Sequence, residues 1–417
     1  MTSPIPGKQY TVRQDDNLTK IASTAYGEPL KWRDIYNANQ TTLKSTDPNL
    51  IFPGEIIFIP ELIDRKNDND LENAFSSDAD GVDRLIINDA EIPSQEFEIT
   101  RTMDTAADGW KASIAWTPGA DLILDAATKP YGYQKSAVYL SGKLLVNGYL
   151  YGVTPTLSNN QRGKALTGWS LTADVIDSTM RPPYEVSDQT LKQRAEGLVN
   201  PMGIKVIWDL DDDLKFDKMT ATATDTIFSH LLKYAKQRGV LISSTPAGNL
   251  IFLKANVNGE SVGTIEEGAK FALDYTANFD GRKRFNSYKA IGQSPKSNSK
   301  FEIAKDDNVP RSRMVTFNNP DSTEGDLKSA AEWRRSAQLA AALTIPFNSS
   351  SWNSPNGELW AENTIVTVKS KTLSINDGFN FLIRQVTFAK KNSGRSAALS
   401  LVPPQVYSGE PIPDFMV

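Results

Sequence analysis

The residues of this chain that could do chemistry are few, and their spacing argues against most reactions. There is no cysteine, so disulfides, thiolate metal sites and cysteine nucleophiles are excluded. The single histidine, His230, leaves almost no material for Ser–His catalysis and rules out a multi-histidine zinc site. It sits off the apolar stripe of its predicted helix and reads as a surface residue. Asp209-Leu210-Asp211-Asp212-Asp213 invites a calcium loop, which needs glycine at the sixth position and a bidentate glutamate at the twelfth. Leu214 takes the sixth place and no glutamate takes the twelfth, so the run reads as a solvated turn. With 50 acidic side chains some carboxylate pair always exists. Nothing in the spacing sets two of them across one cleft, as glycan hydrolysis requires. No catalytic residue, metal or cofactor is expected.

Charge is more informative than chemistry. From Arg282 to Arg313 nine basic residues stand against three acidic ones, and Arg282, Lys283, Arg284 and Lys289 lead the run. Two readings stay open: a rim that meets an acidic partner or lines a channel for DNA, or a solvated loop region of mixed charge. From Asp64 to Glu91 the balance reverses, nine acidic against three basic. Residues 62–81, rich in Asp, Asn and Ser, hold too few large apolar side chains to order themselves and read as a flexible linker. The alternative is an acidic docking tail, for which the basic run offers an internal partner. The net charge of -5 argues against a general nucleic-acid binder.

The elements that position these residues fall into several domains, as 417 residues at 39% hydrophobic content suggest. The first residues lack the apolar core of a secretory leader, and no run of about 18 apolar residues appears, so synthesis in a cytoplasm is expected. Residues 1–61 read as strand, helix, helix, strand. Gln9 to Val12 has strand character, and Asp15-Asp16-Asn17 offers oxygens to cap a helix carrying Leu18, Ile21, Ala22 and Ala25. Gly27 ends that helix. Trp32, Ile35, Tyr36 and Asn39 mark a second one, and Pro53-Gly54 turns into a closing strand, Glu55 to Pro60. These pieces, in this order, resemble a LysM domain. The resemblance implies affinity for N-acetylglucosamine polymers such as peptidoglycan. The family's groove would lie between the loops holding Asp15, Asp16, Asn17 and Leu18 and those holding Pro48, Asn49, Leu50 and Ile51. Asp15 stands where the family has glycine, and Asn17 where it has threonine. That departure favours a module retained for docking inside an assembly over one that binds sugar.

From Val82 onward the pattern is mostly β. Residues 83–92 form a hairpin around Asn88-Asp89. Strands follow at 96–103, at 110–116, on either side of Ser141-Gly142, and at 170–176, with a further turn at Asn147-Gly148. A helix at 191–198 comes next. Another, capped by Asp225, runs to Arg238, and a hairpin then spans 240–254. After Thr264 the β pattern returns, with a strand at 287–292, one helix at 326–343 and a terminal meander at 363–402.

Leu359 to Val366, Asp377 to Phe388, and Gly394 with Ala398 to Pro404 resemble the C-terminal barrel of the baseplate hub family, which includes the late-control tail proteins of contractile phages. Thr226 to Phe228, Gly239-Val240 and Gly248 to Leu250 match its insertion. The implied fold is mainly β with an α/β insertion (α+β): LysM over 1–61, an acidic linker over 62–81, a tube-like β-barrel over 82–185, a small α/β domain over 186–264, and a second barrel with one helix over 265–417. The implied function is structural, not enzymatic. It is a homotrimer in the virion tail baseplate that adapts a six-fold tail tube to a three-fold spike and forms part of the central channel. Its partners would be the tail tube protein, the trimeric spike protein and other baseplate proteins. DNA would pass through without specific binding. The alternative is a LysM-targeted peptidoglycan hydrolase or cell-wall adhesin.

Overall fold

The structure, a computed structural model, describes residues 3–27, 29–39, 43–45, 47, 50–60, 83–158, 162–292, 300–319, 324–373 and 375–408. The linker 62–81 and the loop residues Pro48 and Asn49 lie outside that set. The chain divides into two compact units. One comprises Met1–Gln95, Ala112–Leu145 and Tyr149–Gly168; the other comprises Glu96–Lys111, Val146–Gly148 and Trp169–Val417.

The N-terminal module of the first unit pairs β1 (Lys8–Thr11) with a second strand across two helices, α1 (Leu18–Tyr26) and α2 (Trp32–Asn39). The closing strand β2 (Ile56–Ile59) lies antiparallel to β1 with Tyr10 opposite Ile57. Local chemistry sets the ends of α1. Asn17 caps it by accepting from the Lys20 N–H at 2.8 Å, and Gly27 terminates it at φ 74 with its N–H on the Ser23 carbonyl. Tyr10, Leu18, Ile21, Ile35, Ile57 and Ile59 form the core, each aliphatic one contributing about 1.5–3 kcal/mol on burial. The buried amide of Asn39 ties α2 to β2, donating to Ile35 O and Phe58 O and accepting from Phe58 N at 2.6–2.7 Å.

The chain then forms a hairpin of β3 (Arg84–Ile87) and β4 (Ala90–Glu91). Asn88 and Asp89 both take positive φ, as a two-residue primed turn requires. Next come β5 (Glu96–Thr102), β6 (Gly109–Ala115), α3 (Leu122–Ala127), β7 (Lys135–Leu140), β8 (Lys143–Leu157) and β9 (Arg162–Ser170). In the first unit the strand order is β6-β9-β8-β7-β3-β4. The turn expected at Asn147-Gly148 is absent, because β8 runs straight through it. Gly148 instead permits a close approach of backbones: a Cβ there would lie 1.8 Å from the Trp169 carbonyl oxygen.

The strand expected at 170–176 is replaced by a short helix, α4 (Ala173–Asp177), whose Val175 is fully buried. Its β-branched residues misled the sequence reading. An α/β region follows: β10 (Glu185–Thr190), α5 (Leu191–Val199), β11 (Val206–Asp209), β12 (Lys215–Thr220), α6 (Ile227–Gln237), β13 (Leu241–Ser244) and β14 (Leu250–Leu253). β13 and β14 form the expected hairpin, and β11 adds parallel to β14. Thr190 and Gln193 make a reciprocal cap at the start of α5. Thr226, not Asp225, caps α6; the Asp225 carboxylate accepts from the Thr222 N–H at 2.7 Å instead.

The remainder holds β15 (Ser261–Glu266), β16 (Ala272–Tyr275), β17 (Asn278–Phe279), β18 (Ser287–Ile291), β19 (Phe301–Lys305), β20 (Met314–Asn318), α7 (Glu324–Ala342), β21 (Leu343–Ser349), β22 (Ile365–Ser370), β23 (Ile375–Lys391), β24 (Gly394–Val402) and α8 (Gln405–Ser408). The main sheet of the second unit orders β16-β21-β24-β23-β5. β5 joins it beside β23, with Ile99 opposite Phe388. The alternation read in β24 holds: Ala397, Leu399 and Leu401 are buried. A separate sheet, β19-β18-β20, packs Tyr288, Ala290 and Ala304 against Leu327 and Ala331 of α7. The whole is mostly β, with helices concentrated in the middle region and α7.

Candidate functional site

The first LysM loop is rigid through local bonds. Asp15 takes φ 67, the left-handed conformation glycine would supply, which aspartate tolerates better than most residues. Its carbonyl accepts from Lys20 Nζ at 2.9 Å. Asp16 Oδ2 accepts from the Tyr10 hydroxyl and the Arg13 N–H, both at 2.8 Å. Burial, with help from that carboxylate, holds the Tyr10 phenol above its ordinary pKa. Asn17 is spent on the helix cap and Leu18 on the core. Across from it, Leu50 is exposed and Ile51 buried. The buried Glu55 carboxylate accepts from Lys44 N at 2.8 Å and Phe52 N at 2.7 Å, fixing the second loop. The sequence reading missed Glu55. It also missed Ile56 and Phe58, which leave the outer face of this small sheet 58% and 41% exposed.

The leading basic residues gather at one turn and one strand. Arg282 and Lys283 lie on an exposed 3-10 turn, with Arg282 paired to Asp280 at 3.1 Å. Arg284 grips the buried Asp306 with two nitrogens, at 2.8 and 3.1 Å. Arg313 donates to the carbonyls of Gly281 and Arg282 and lies over the Phe285 ring. Lys289 is set apart on β18, its Nζ 4.0 Å from the Phe301 ring centre.

A third set of groups, from distant segments of the second unit, meets in a buried seam. Arg101 on β5 donates through Nε to Glu362 Oε1 at 3.0 Å, and its Nη2 stands 3.8 Å from Asp108 Oδ2. Asp108 Oδ1 accepts from Thr102 N, and the Asp108 N–H donates to Ser170 Oγ. Ser170, Thr172 and Ser244 continue the chain of hydroxyls at 2.7 and 3.0 Å. Burial pushes the Asp108 carboxyl up to about 7, against the opposing pull of Arg101. His230, read from sequence as a surface residue, is buried beneath α5. It accepts from Arg194 Nε at 3.2 Å, and burial with that guanidinium lowers it to about 4.

Among the described residues no three His, Asp or Glu side chains group as metal ligands. One cleft of about 300 Å³, lined in part by Arg238, Lys254, Glu332, Trp333 and Tyr407, carries a single carboxylate, not the pair that glycan hydrolysis uses.

Three stretches match described families. Residues 10–60 match the LysM domain, residues 172–254 the second domain of gp44-like baseplate hub proteins, and residues 323–410 the fourth domain of the Mu phage baseplate assembly protein GpP. The baseplate hub protein gp44 of Escherichia phage Mu is 25% identical over 323 residues, covering 73% of this chain and 83% of that protein. Over these stretches the chain is similar to phage baseplate hub proteins. Its fold agrees. The 43 kDa tail protein of prophage MuSo2 from Shewanella oneidensis superposes with a TM-score of 0.68 at 22% identity, covering 78% of this chain and 99% of its own. A tail protein from Neisseria meningitidis MC58 gives 0.69 at 18% identity, covering 79% and 99%. The domain matches and the gp44 relative make the chain a structural phage-tail protein with a LysM domain at its N-terminus, not an enzyme. No described helix is long and apolar enough to cross a membrane. Half of the seam lies in matched domains: Thr172 and Ser244 fall in the gp44-like domain and Glu362 in the GpP-like one, whereas Arg101, Asp108 and Ser170 precede both. A hint was present in sequence: Arg101 falls on the same strand face as Ile99, where alternation predicts burial.

Proposed function

We propose that this hub chain assembles as a homotrimeric ring in which each copy contributes two tube-like β-barrels, residues 82–185 and 265–417, with the α/β domain 186–264 between them. Three copies would then offer six similar barrels to a six-fold tail tube and a three-fold face to a spike, enclosing part of the central channel. The observation that carries this reading is collinearity. Two hub-family domains follow one another at 172–254 and 323–410, in a chain whose fold likeness spans nearly the full length of two tail proteins. A closed ring also covers sheet edges that would otherwise pair with other chains. Light scattering on the purified chain, alone and with its tail tube and spike proteins, tests it. A three-chain mass and a ring in electron micrographs are expected. A particle that stays monomeric with both partners present overturns the reading.

The LysM module serves docking within the baseplate in this scheme. Two features favour that over sugar binding: the first loop's polar groups are mostly engaged internally, and Ile56 and Phe58 present an apolar outer face. Arg282, Lys283, Arg284 and Lys289 would face an acidic partner or the channel. Sedimentation with purified sacculi separates the two roles of the module. Retention of the chain that is lost on Leu50→Ser would restore the glycan reading.

A further inference from the structure

Three segments of the second unit meet at the cleft of about 300 Å³. Ser329, Glu332, Trp333 and Ser336 recur at helical spacing on α7 and form one wall. The turn after β14, with Lys254, forms a second, and Tyr407 of α8 a third. These walls are held in place. The Val257 N–H donates to the Ala255 carbonyl at 2.9 Å and the Asn256 N–H to Asn363 Oδ1 at 2.8 Å. Ala255 and Tyr407 pack against the buried Leu339 and Val406. Aromatic surface comes from Tyr407 and from Trp333, whose ring centre lies 4.5 Å from Lys236 Nζ.

Two opposite charges of the cleft have no partner among the described residues. Lys254 is exposed, and the bond it receives, from Asn363, ends on its backbone carbonyl. Glu332 is half-buried, and Ser336 likewise donates to its carbonyl and not to its carboxylate. Arg238, by contrast, is engaged with the Leu214 and Lys215 carbonyls and lies over the Phe216 ring. A cation and an anion that line one cleft without pairing offer a donor and an acceptor to a ligand, and bonds to charged groups are the strong ones. A ligand that uses everything here needs an anion for Lys254, an N–H for Glu332 and apolar surface for Trp333 and Tyr407. The last residue of a polypeptide carries all three. Capture of a terminal carboxylate is a general mode of peptide recognition. The volume stands at the lower end of the ~300–1,000 Å³ of small-ligand clefts, room for one or two residues.

We infer that this cleft captures the C-terminus of a partner polypeptide that ends in a large apolar residue. The terminal carboxylate pairs with Lys254, the last backbone N–H donates to Glu332, and the side chain lies against Trp333 and Tyr407. The inference is independent of the trimer, because a free peptide can be offered to the chain in any state of association.

The test is an isothermal titration of the full chain with the peptide acetyl-Gly-Ser-Gly-Phe bearing a free carboxylate. Saturable binding of one peptide per chain is expected. It should weaken at least tenfold when the peptide ends in an amide, and at least tenfold with Lys254→Glu, an exposed position whose change leaves the core intact. Methylation of the last peptide nitrogen, Glu332→Ala and Trp333→Leu should each weaken it several-fold. Unchanged thermal unfolding of the variants separates lost binding from lost folding. Absence of saturable binding, equal binding of acid and amide, or binding indifferent to Lys254→Glu overturns the inference. So does 3-phenylpropionate binding as tightly as the peptide: it keeps the carboxylate and the ring but has no N–H, and the cleft would then be a site for small aromatic acids.

Discussion

The LysM loops and the buried seam of the second unit both hold polar groups in fixed positions, but they do so over opposite ranges. In the module's loops many partners are close in sequence: Asn17 with Lys20, Asp16 with Arg13 and Tyr10, Glu55 with Phe52. Such bonds compete with water and contribute about 0.5–1.5 kcal/mol each. In the seam, Arg101 and Glu362 are 261 residues apart, and Arg101 is almost wholly buried. Removing one partner there strands a charge away from water. Local bonding makes the module tolerant of change, whereas the seam makes the hub body depend on several distant segments at once.

Four experiments break or sharpen that contrast. The largest effect is expected from Gly148→Ala, whose new methyl would lie 1.8 Å from the Trp169 carbonyl. Loss of more than about 4 kcal/mol is expected, seen as loss of the body's unfolding transition in calorimetry while the module's own transition survives. Glu362→Ala comes next, at about 3–5 kcal/mol by urea denaturation, because Arg101 is left buried without its nearest carboxylate. The double change Arg101→Met with Glu362→Leu should recover much of that loss. A cost equal to the sum of the single changes would show that the seam is not coupled.

The third experiment is a pH series. Asp108, raised by burial from 3.8 to about 7, keeps its proton in the folded chain only below about pH 7. Its contribution to stability is complete below about 3.8 and disappears as pH rises through about 7. His230, lowered from 6.5 to about 4 by burial and by Arg194, behaves oppositely. Its contribution is complete above 6.5 and disappears as pH falls through about 4. The two therefore oppose each other between pH 4 and 7, each with a slope of up to about 1.4 kcal/mol per pH unit. Asp108→Asn should leave only the acid-side loss, and His230→Gln only the loss toward neutral pH. Identical pH profiles for both variants would refute the assignment. The smallest effect belongs to Asn17→Ala, about 1 kcal/mol, confined to the module's transition.

Legibility followed the same division. Caps and turns at Asn17, Gly27, Asn88-Asp89 and Ser141-Gly142 were readable because their partners are neighbours in the chain. Alternation in β22 to β24 was readable because burial on one face repeats every second residue. The errors have one cause. Asn147-Gly148 has the composition of a turn, but its glycine answers a strand distant in sequence. Residues 170–176 have strand propensity, but tertiary packing turns Ala173–Asp177 into a helix. His230 lies off the stripe read from Ile227, Phe228, Leu231, Leu232 and Ala235, but the face that packing buries is Ile227, His230, Leu231, Tyr234 and Ala235, with Arg194 of α5 bonded to the imidazole.

Periodicity and side-chain bonds to adjacent backbone were enough to establish a βααβ module followed by a long, mostly β body, because both act over a few residues. The tertiary structure alone decided that Arg101, Asp108, Ser244 and Glu362 meet away from water, and that Lys254 and Glu332 line one cleft. Those outcomes depend on which distant segments pack together. Burial, unlike a cap or a turn, is a property of the packed chain and not of any local stretch.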